Sequence, residues 1–104
     1  MNYKLVIKPE AENDLSKTFR WYENKRKGLG YDFLLQIDAG LRFIERDPFS
    51  FRERYKGTRR YIIKRFPYTI IYFIEGAKVI VLGVVHGGRD PEWVKKKINT
   101  ELKS

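Results

Sequence analysis

The chain has 104 residues, no cysteine, one histidine and a net charge of +9. That length makes a single domain, residues 1–104, able to bury ~65% of its unfolded surface and fold alone. Without cysteine there are no disulfides, thiolate zinc sites or cysteine nucleophiles, and one histidine excludes a multi-histidine metal centre.

The opening residues, Met1-Asn2-Tyr3-Lys4, carry no signal-peptide pattern. No apolar run nears the ~20 residues that span a bilayer, so a soluble cytoplasmic protein with no membrane contact is expected. The charge is uneven. Residues 1–50 hold nine Lys/Arg against eight Asp/Glu, whereas residues 51–104 hold thirteen against five. A basic second half suits a polyanionic or acidic partner, although a lysine run such as Lys95-Lys96-Lys97 is also a common solvated face.

Tyr3 to Lys8 reads as a first strand. Pro9 then suits the first position of a helix, and Glu10 and Glu12 complement its positive end. Ala11, Leu15, Phe19 and Tyr22 recur at helical spacing until the basic run Lys25-Arg26-Lys27 and Gly28 signal a stop. A second helix is expected from near Tyr31, with Phe33, Ile37, Leu41 and Ile44 as its buried stripe and Asp47-Pro48 as its end. About three residues join the two helices, which makes them an antiparallel hairpin in need of a sheet. Phe49 to Gly57 reads as an irregular connection, and its Arg52, Arg54 and Lys56 face either phosphates or solvent.

Three strands follow, Ile62 to Arg65, Tyr68 to Glu75 and Lys78 to His86, each rich in β-branched and aromatic residues. Phe66-Pro67 and Glu75-Gly76 supply their turns. Val79 to Val85 is apolar at both parities of the alternation, so both of its faces should be covered, the second in part by a binding partner. A short basic helix starts at Pro91, with Trp93 as its anchor on the sheet. With the first strand beside the last one or two, the fold class is α+β: a small, mainly antiparallel mixed sheet on an N-terminal helical hairpin.

The chemistry-bearing residues gather at strand ends: Arg59 and Arg60, Lys64 and Arg65, then His86 and Arg89 around Gly87-Gly88. One imidazole among cations is a workable phosphodiesterase site, with His86 as proton acceptor and Lys64, Arg65 and Arg89 as phosphate clamps. The plain reading is a strand-end histidine bonded to backbone and a charged edge that resists aggregation. If the last strand alternates without a bulge, His86 shares a face with Ile80, Leu82 and Val84. Tyr61, Tyr68 and Tyr72 fit core or groove positions better than base-stacking platforms.

Three segments carry a family resemblance: KPEAENDL at Lys8–Leu15, RRYIIKRFPYTIIY at Arg59–Tyr72 and VVHGGRDPEW at Val84–Trp93. In order and spacing they resemble the RelE/ParE superfamily, the bacterial toxins of type II toxin–antitoxin and plasmid-stabilisation modules. The Arg65–Tyr68 turn and the His86–Pro91 segment are closer to the ParE branch. The resemblance implies a compact α/β domain with a curved, mainly antiparallel sheet on a helical hairpin, and no cofactor or metal.

Two activities come with it. Members similar to RelE or YoeB cut messenger RNA on the ribosome without a metal, which would give His86, Arg65, Lys64 and Arg89 catalytic roles here. Members similar to ParE bind DNA gyrase and need a surface rather than chemistry, for which Arg59, Arg60, Lys64, Arg65, Arg89 and Trp93 are the candidates. The chain departs from the ribonuclease pattern at Thr69, where that branch has an arginine, and at Trp93, where some nucleases have a tyrosine. An indole is no general acid at neutral pH. The expectation is therefore a ParE-like toxin that inhibits gyrase and is neutralised by a cognate acidic antitoxin. A ribosome-dependent endoribonuclease is the alternative, and a non-toxic antitoxin-binding homologue the second. Binding of an antitoxin further predicts exposed apolar area beside the basic strand ends.

Overall fold

A computed structural model describes residues 3–103. Strand β1 (Lys4–Ile7) leads into helices α1 (Pro9–Lys25) and α2 (Leu29–Arg46). Short 3-10 turns at Pro48–Ser50 and Tyr55–Gly57 then precede β2 (Arg59–Ile62), β3 (Tyr68–Glu75), β4 (Lys78–His86) and α3 (Pro91–Lys103). Met1, Asn2 and Ser104 lie outside the described residues.

Helix α1 begins as its sequence dictates, with Pro9 at the first turn and Glu10 and Glu12 beside it. The Arg26 N–H closes the helix on the Tyr22 carbonyl (3.1 Å), and Gly28 turns the chain at φ +90°, a conformation that suits glycine. Only Arg26, Lys27 and Gly28 separate α1 from α2, so the hairpin forms as expected and α2 starts two residues earlier than the apolar stripe suggested. Glu23 explains the early start. Its carboxylate accepts the N–H groups of Gly28 and Gly30, both at 2.9 Å, and so caps α2 from the preceding helix. Phe33, Ile37 and Ile44 are buried along α2, each contributing roughly 1.5–3 kcal/mol of hydrophobic stabilisation.

The sheet order is β1-β4-β3-β2, with β1 parallel to β4 and the other two pairings antiparallel. This is an α+β domain with a mixed sheet. One face carries the hairpin over Ile70, Tyr72, Val79, Val81 and Val84. The Tyr72 hydroxyl donates to the Pro48 carbonyl at 2.6 Å and ties the connection after α2 to the middle of the sheet.

On the opposite face, Val94 and Ile98 of α3 pack over Ile71, Leu82 and Val85. The apolar run in β4 is thus covered twice, as its lack of alternation required. The second cover comes from the chain's own α3, where a partner had been expected to contribute. Phe73 and Ile80, near Leu102, stay partly exposed on that face. Trp93 is not the anchor: it is 39% exposed, and Val94 and Ile98 hold the helix down.

Two further expectations change. Strand β2 spans Arg59–Ile62 rather than Ile62–Arg65, pairing Arg59 with Tyr72 and Ile62 with Thr69. The Ile63 N–H donates to the Tyr68 carbonyl and Arg65 takes φ +69°, so residues 63–67 form the turn before β3. The β-branched pair Ile62-Ile63 mimicked a strand, but the buried Ile63 enters the core from a turn.

The second change is in β4. A register shift between Ile71 and Tyr72 pairs them with Gly83 and Val81, leaving Leu82 as an extra residue. The bulge flips the alternation. Ile80 and Leu82 face α3, while Val84 faces the hairpin.

Candidate functional site

The end of the sheet is built by two turns locked side by side. Tyr68 pairs with His86 across β3 and β4, and the Gly87 N–H donates to the Pro67 carbonyl at 2.8 Å. This brings the 63–67 turn, with Lys64 and Arg65, next to the 86–89 segment, with His86 and Arg89. Beyond the bulge His86 shares its face with Val84 and not with Ile80 or Leu82, and its ring meets the Tyr68 ring edge-on at 5.3 Å.

The imidazole is already engaged. His86 Nδ1 accepts the Gly88 N–H at 2.9 Å, so in the neutral ring the proton sits on Nε2. A Cβ at residue 88 would lie 3.2 Å from Nδ1, close enough to disturb that bond. The plain reading of His86, a strand-end ring bonded to backbone, describes its geometry.

The cations divide among several places. Arg59 faces the hairpin side, where it donates to the Phe51 carbonyl, pairs with Glu53 (3.8 Å) and lies over the Phe49 ring (5.1 Å). Arg60, one residue on, points to the α3 face opposite Ile71. Arg65 pairs with Asp32 at the start of α2 (4.0 Å), whereas Lys64 is exposed. Arg89 stacks on the Trp93 ring, 4.3 Å from its centroid. The structure therefore brings Lys64, Arg65, His86 and Arg89 to one end of the sheet and removes Arg59 from that group.

Beside His86 runs a polar cleft of about 250 Å³, lined among others by Asp14 and Lys17 of α1, Tyr68, Arg89 and Lys97. Asp14 is the joint of this region. It accepts the Val84 N–H at 2.9 Å and pairs with the Lys97 ammonium at 3.1 Å; Glu10 reaches the same ammonium at 3.4 Å. Burial pushes the Asp14 carboxyl above the ordinary aspartate range, against the opposing pull of the Val84 N–H and of Lys97.

Gly83 makes this joint fit. A Cβ there would lie 2.6 Å from Lys97 Cε and 3.1 Å from Asp14 Oδ2. The sequence did carry a sign of this: a glycine inside a run of valine, isoleucine and leucine marks a close approach.

A second cation group lies on the α3 face. The ammonium groups of Lys56 and Lys95 sit 5.6 and 5.5 Å from the centre of the Tyr55 ring, whose hydroxyl donates to Asn99 on α3 (3.0 Å). Arg60 is close by: burial, then the nearby charge of Arg54, hold its guanidinium below the ordinary arginine value. The sequence showed Arg54 and Lys56 flanking Tyr55, but not that α3 would bring Lys95 to them.

Exposed apolar side chains occur at Ile62, on the same face of β2 as Arg60, at Trp93 beneath Arg89 and at Phe49 beside Arg59. They also occur at Trp21, Tyr31, Leu35 and Phe43 on the helices. Among the described residues no cluster of His, Cys, Asp and Glu could hold a metal, and no helix is long and apolar enough to cross a membrane.

A family model described as the ParE toxin of type II toxin–antitoxin system, parDE, matches residues 5–91. The chain belongs to the ParE toxin family. The match runs from β1 to the first residue of α3, and so includes both turns of the candidate site.

Solved structures agree on the ParE fold. A chain of the chromosomal ParDE system from P. aeruginosa aligns with TM-score 0.73 at 15% identity, over 81% of this chain and 95% of that one. The RelE toxin of E. coli, as a double mutant in the free state, aligns with TM-score 0.68 at 16% identity, over 99% and 97%. A chain of the RelBE2 toxin–antitoxin complex of Mycobacterium tuberculosis gives 0.60 at 22% identity, over 83% and 99%. No curated protein matches the sequence.

Proposed function

We propose that this ParE-family chain is a growth-arresting toxin that acts by binding DNA gyrase, and that a cognate acidic antitoxin neutralises it. Thr69 carries the choice of gyrase over messenger RNA. It stands directly before Ile70-Ile71-Tyr72, where the ribonuclease branch of the resemblance has an arginine. The residue is 7% exposed and lies opposite Ile62 and Val85 in neighbouring strands. A threonine hydroxyl brings no positive charge to a phosphorane, and losing one such stabilising group typically costs ~10²–10³ in rate.

The other ribonuclease candidates point the same way. His86 Nδ1 is occupied by a backbone N–H, and Arg89 is stacked on Trp93, whose indole is a donor only. These contacts suit a binding surface. The antitoxin half of the proposal rests on family membership and on the basic second half of the chain, with exposed Ile62 and Trp93 beside its cations.

One observation favours cleavage: Lys64, Arg65, His86 and Arg89 do meet at one end of the sheet. A plasmid supercoiling assay with purified gyrase, run beside a translation reaction on a defined message, separates the readings. Inhibited supercoiling with the message intact supports gyrase. Codon-positioned cuts lost in His86→Ala support the ribonuclease. Silence in both assays with antitoxin binding preserved leaves a non-toxic binding homologue.

A further inference from the structure

The cations with structural work to do are matched to carboxylates: Arg59 with Glu53, Arg65 with Asp32, Lys97 with Asp14 and Glu10. The group around Tyr55 shares the lack of such a match with most surface cations of the described residues and differs in gathering several of them at one place. Arg54, Lys56 and Arg60 form no ion pair among the described residues, and Lys95 has only the solvent-facing Glu92 (3.6 Å). Arg60 is half-buried, its Nε is sealed from solvent without a hydrogen-bond partner, and Arg54 adds like charge beside it.

Holding such charges together costs free energy that a carboxylate would ordinarily offset. The two ammonium groups near Tyr55 are at most ~11 Å apart, the sum of their 5.6 and 5.5 Å distances to one ring centre. That bound is somewhat beyond the ~8 Å screening length at physiological salt, so their potentials reinforce each other chiefly at lower ionic strength. Ile62, 72% exposed, and the Tyr55 ring lend apolar contact on the same face.

We infer that Arg54, Lys56, Arg60 and Lys95, set around Tyr55 between β2 and α3, contact the sugar-phosphate backbone of DNA. Resting on the gyrase reading, this makes the toxin's target the enzyme together with the DNA it holds. A polyanion with one charge per ~1.7 Å of duplex supplies what this surface lacks, several acceptors at close spacing. Phosphate oxygens would offset the charge of Arg60 without reaching its sealed Nε, and the contact would be independent of base sequence because no base edge is read.

The test measures anisotropy of a fluorescent 20-base-pair duplex against the purified toxin from 50 to 300 mM salt, without gyrase. Four phosphate contacts predict a slope of log affinity against log salt of roughly −3 to −4. Lys56→Gln and Arg60→Gln should each reduce it by about one unit, with thermal melting verifying that the variants fold. Lys25→Gln, on α1 beside Trp21, is the control for diffuse attraction to a +9 protein. An equal reduction in Lys25→Gln would overturn the inference, as would slopes unchanged in the first two variants. Tighter binding of single-stranded RNA or of polyglutamate would overturn the assignment to DNA. Gyrase capture by wild-type toxin, with and without DNA, completes the test. DNA binding through these residues without gyrase capture would keep the contact and sink the gyrase reading.

Discussion

Replacing Lys97 with methionine tests how α3 is held on the sheet. The ammonium lies 3.1 Å from Asp14 and 3.4 Å from Glu10, and the Lys97 side chain is only 12% exposed. At an effective dielectric of ~20 the Asp14 contact alone is a gross attraction of about 5 kcal/mol, most of it offset by desolvation of both groups. Methionine keeps the aliphatic packing over Gly83 and strands the carboxylates. The expected net loss is about 2 kcal/mol at pH 7, a fall in Tm of roughly 8–16 °C for a domain of this size.

The sign of the pH dependence follows from Asp14. Its folded carboxyl already titrates above the ordinary aspartate value, so the folded state holds the proton more tightly than the unfolded chain. That contribution to stability therefore falls as pH rises from the ordinary aspartate value through the raised one. Lys97 pulls the carboxyl downward, so Lys97→Met raises it further and extends the decline to higher pH. Thermal melts at pH 4 and pH 7 should show the larger deficit at pH 7, and Asp14→Asn in the Lys97→Met background should recover part of it. A deficit equal at both pH values, or absent, would refute the role given to the Asp14–Lys97 pair.

Gly83→Ala forces a Cβ to within 2.6 Å of Lys97 Cε and should cost about 1–3 kcal/mol in denaturant unfolding, less when Lys97 is also shortened to alanine. Tyr72→Phe removes the hydroxyl bonded to Pro48 and should cost about 1 kcal/mol near neutral pH. Burial pushes the Tyr72 phenol up to about 12, so wild-type stability should fall faster than that of Tyr72→Phe as pH rises through 10 toward 12. His86→Ala should leave growth arrest in an inducible-expression assay intact, since trapping gyrase requires no proton transfer. Complete loss of arrest in a folded variant would favour the ribonuclease.

The elements were legible where local chemistry decides them. Pro9, Gly28 and Asp47-Pro48 bounded the helices, and the unalternating Val79–Val85 run announced a strand covered twice. Three things depend on tertiary pairing, and only the first left a local sign, Gly83 beside the bulge. The bulge at Leu82 reverses the face of His86, because one unpaired residue shifts a period of two. Ile62-Ile63 looked like the start of a strand but spans the end of one, where pairing with Thr69 stops.

The third concerns the site. Adjacent arginines on a strand point to opposite faces, which gave Arg59 to a structural ion pair and Arg60 to the α3 surface. Counting cations in the sequence therefore overstated the single basic surface and hid the second one, which forms only when Lys95 of α3 arrives beside Tyr55.

The most direct measurement incubates purified gyrase, ATP and plasmid with increasing amounts of the toxin, then scores linear DNA after detergent and protease treatment. Cleaved plasmid should accumulate with toxin dose and be suppressed by the antitoxin. Unimpaired supercoiling and no cleaved DNA at a large molar excess of folded toxin would contradict the gyrase reading.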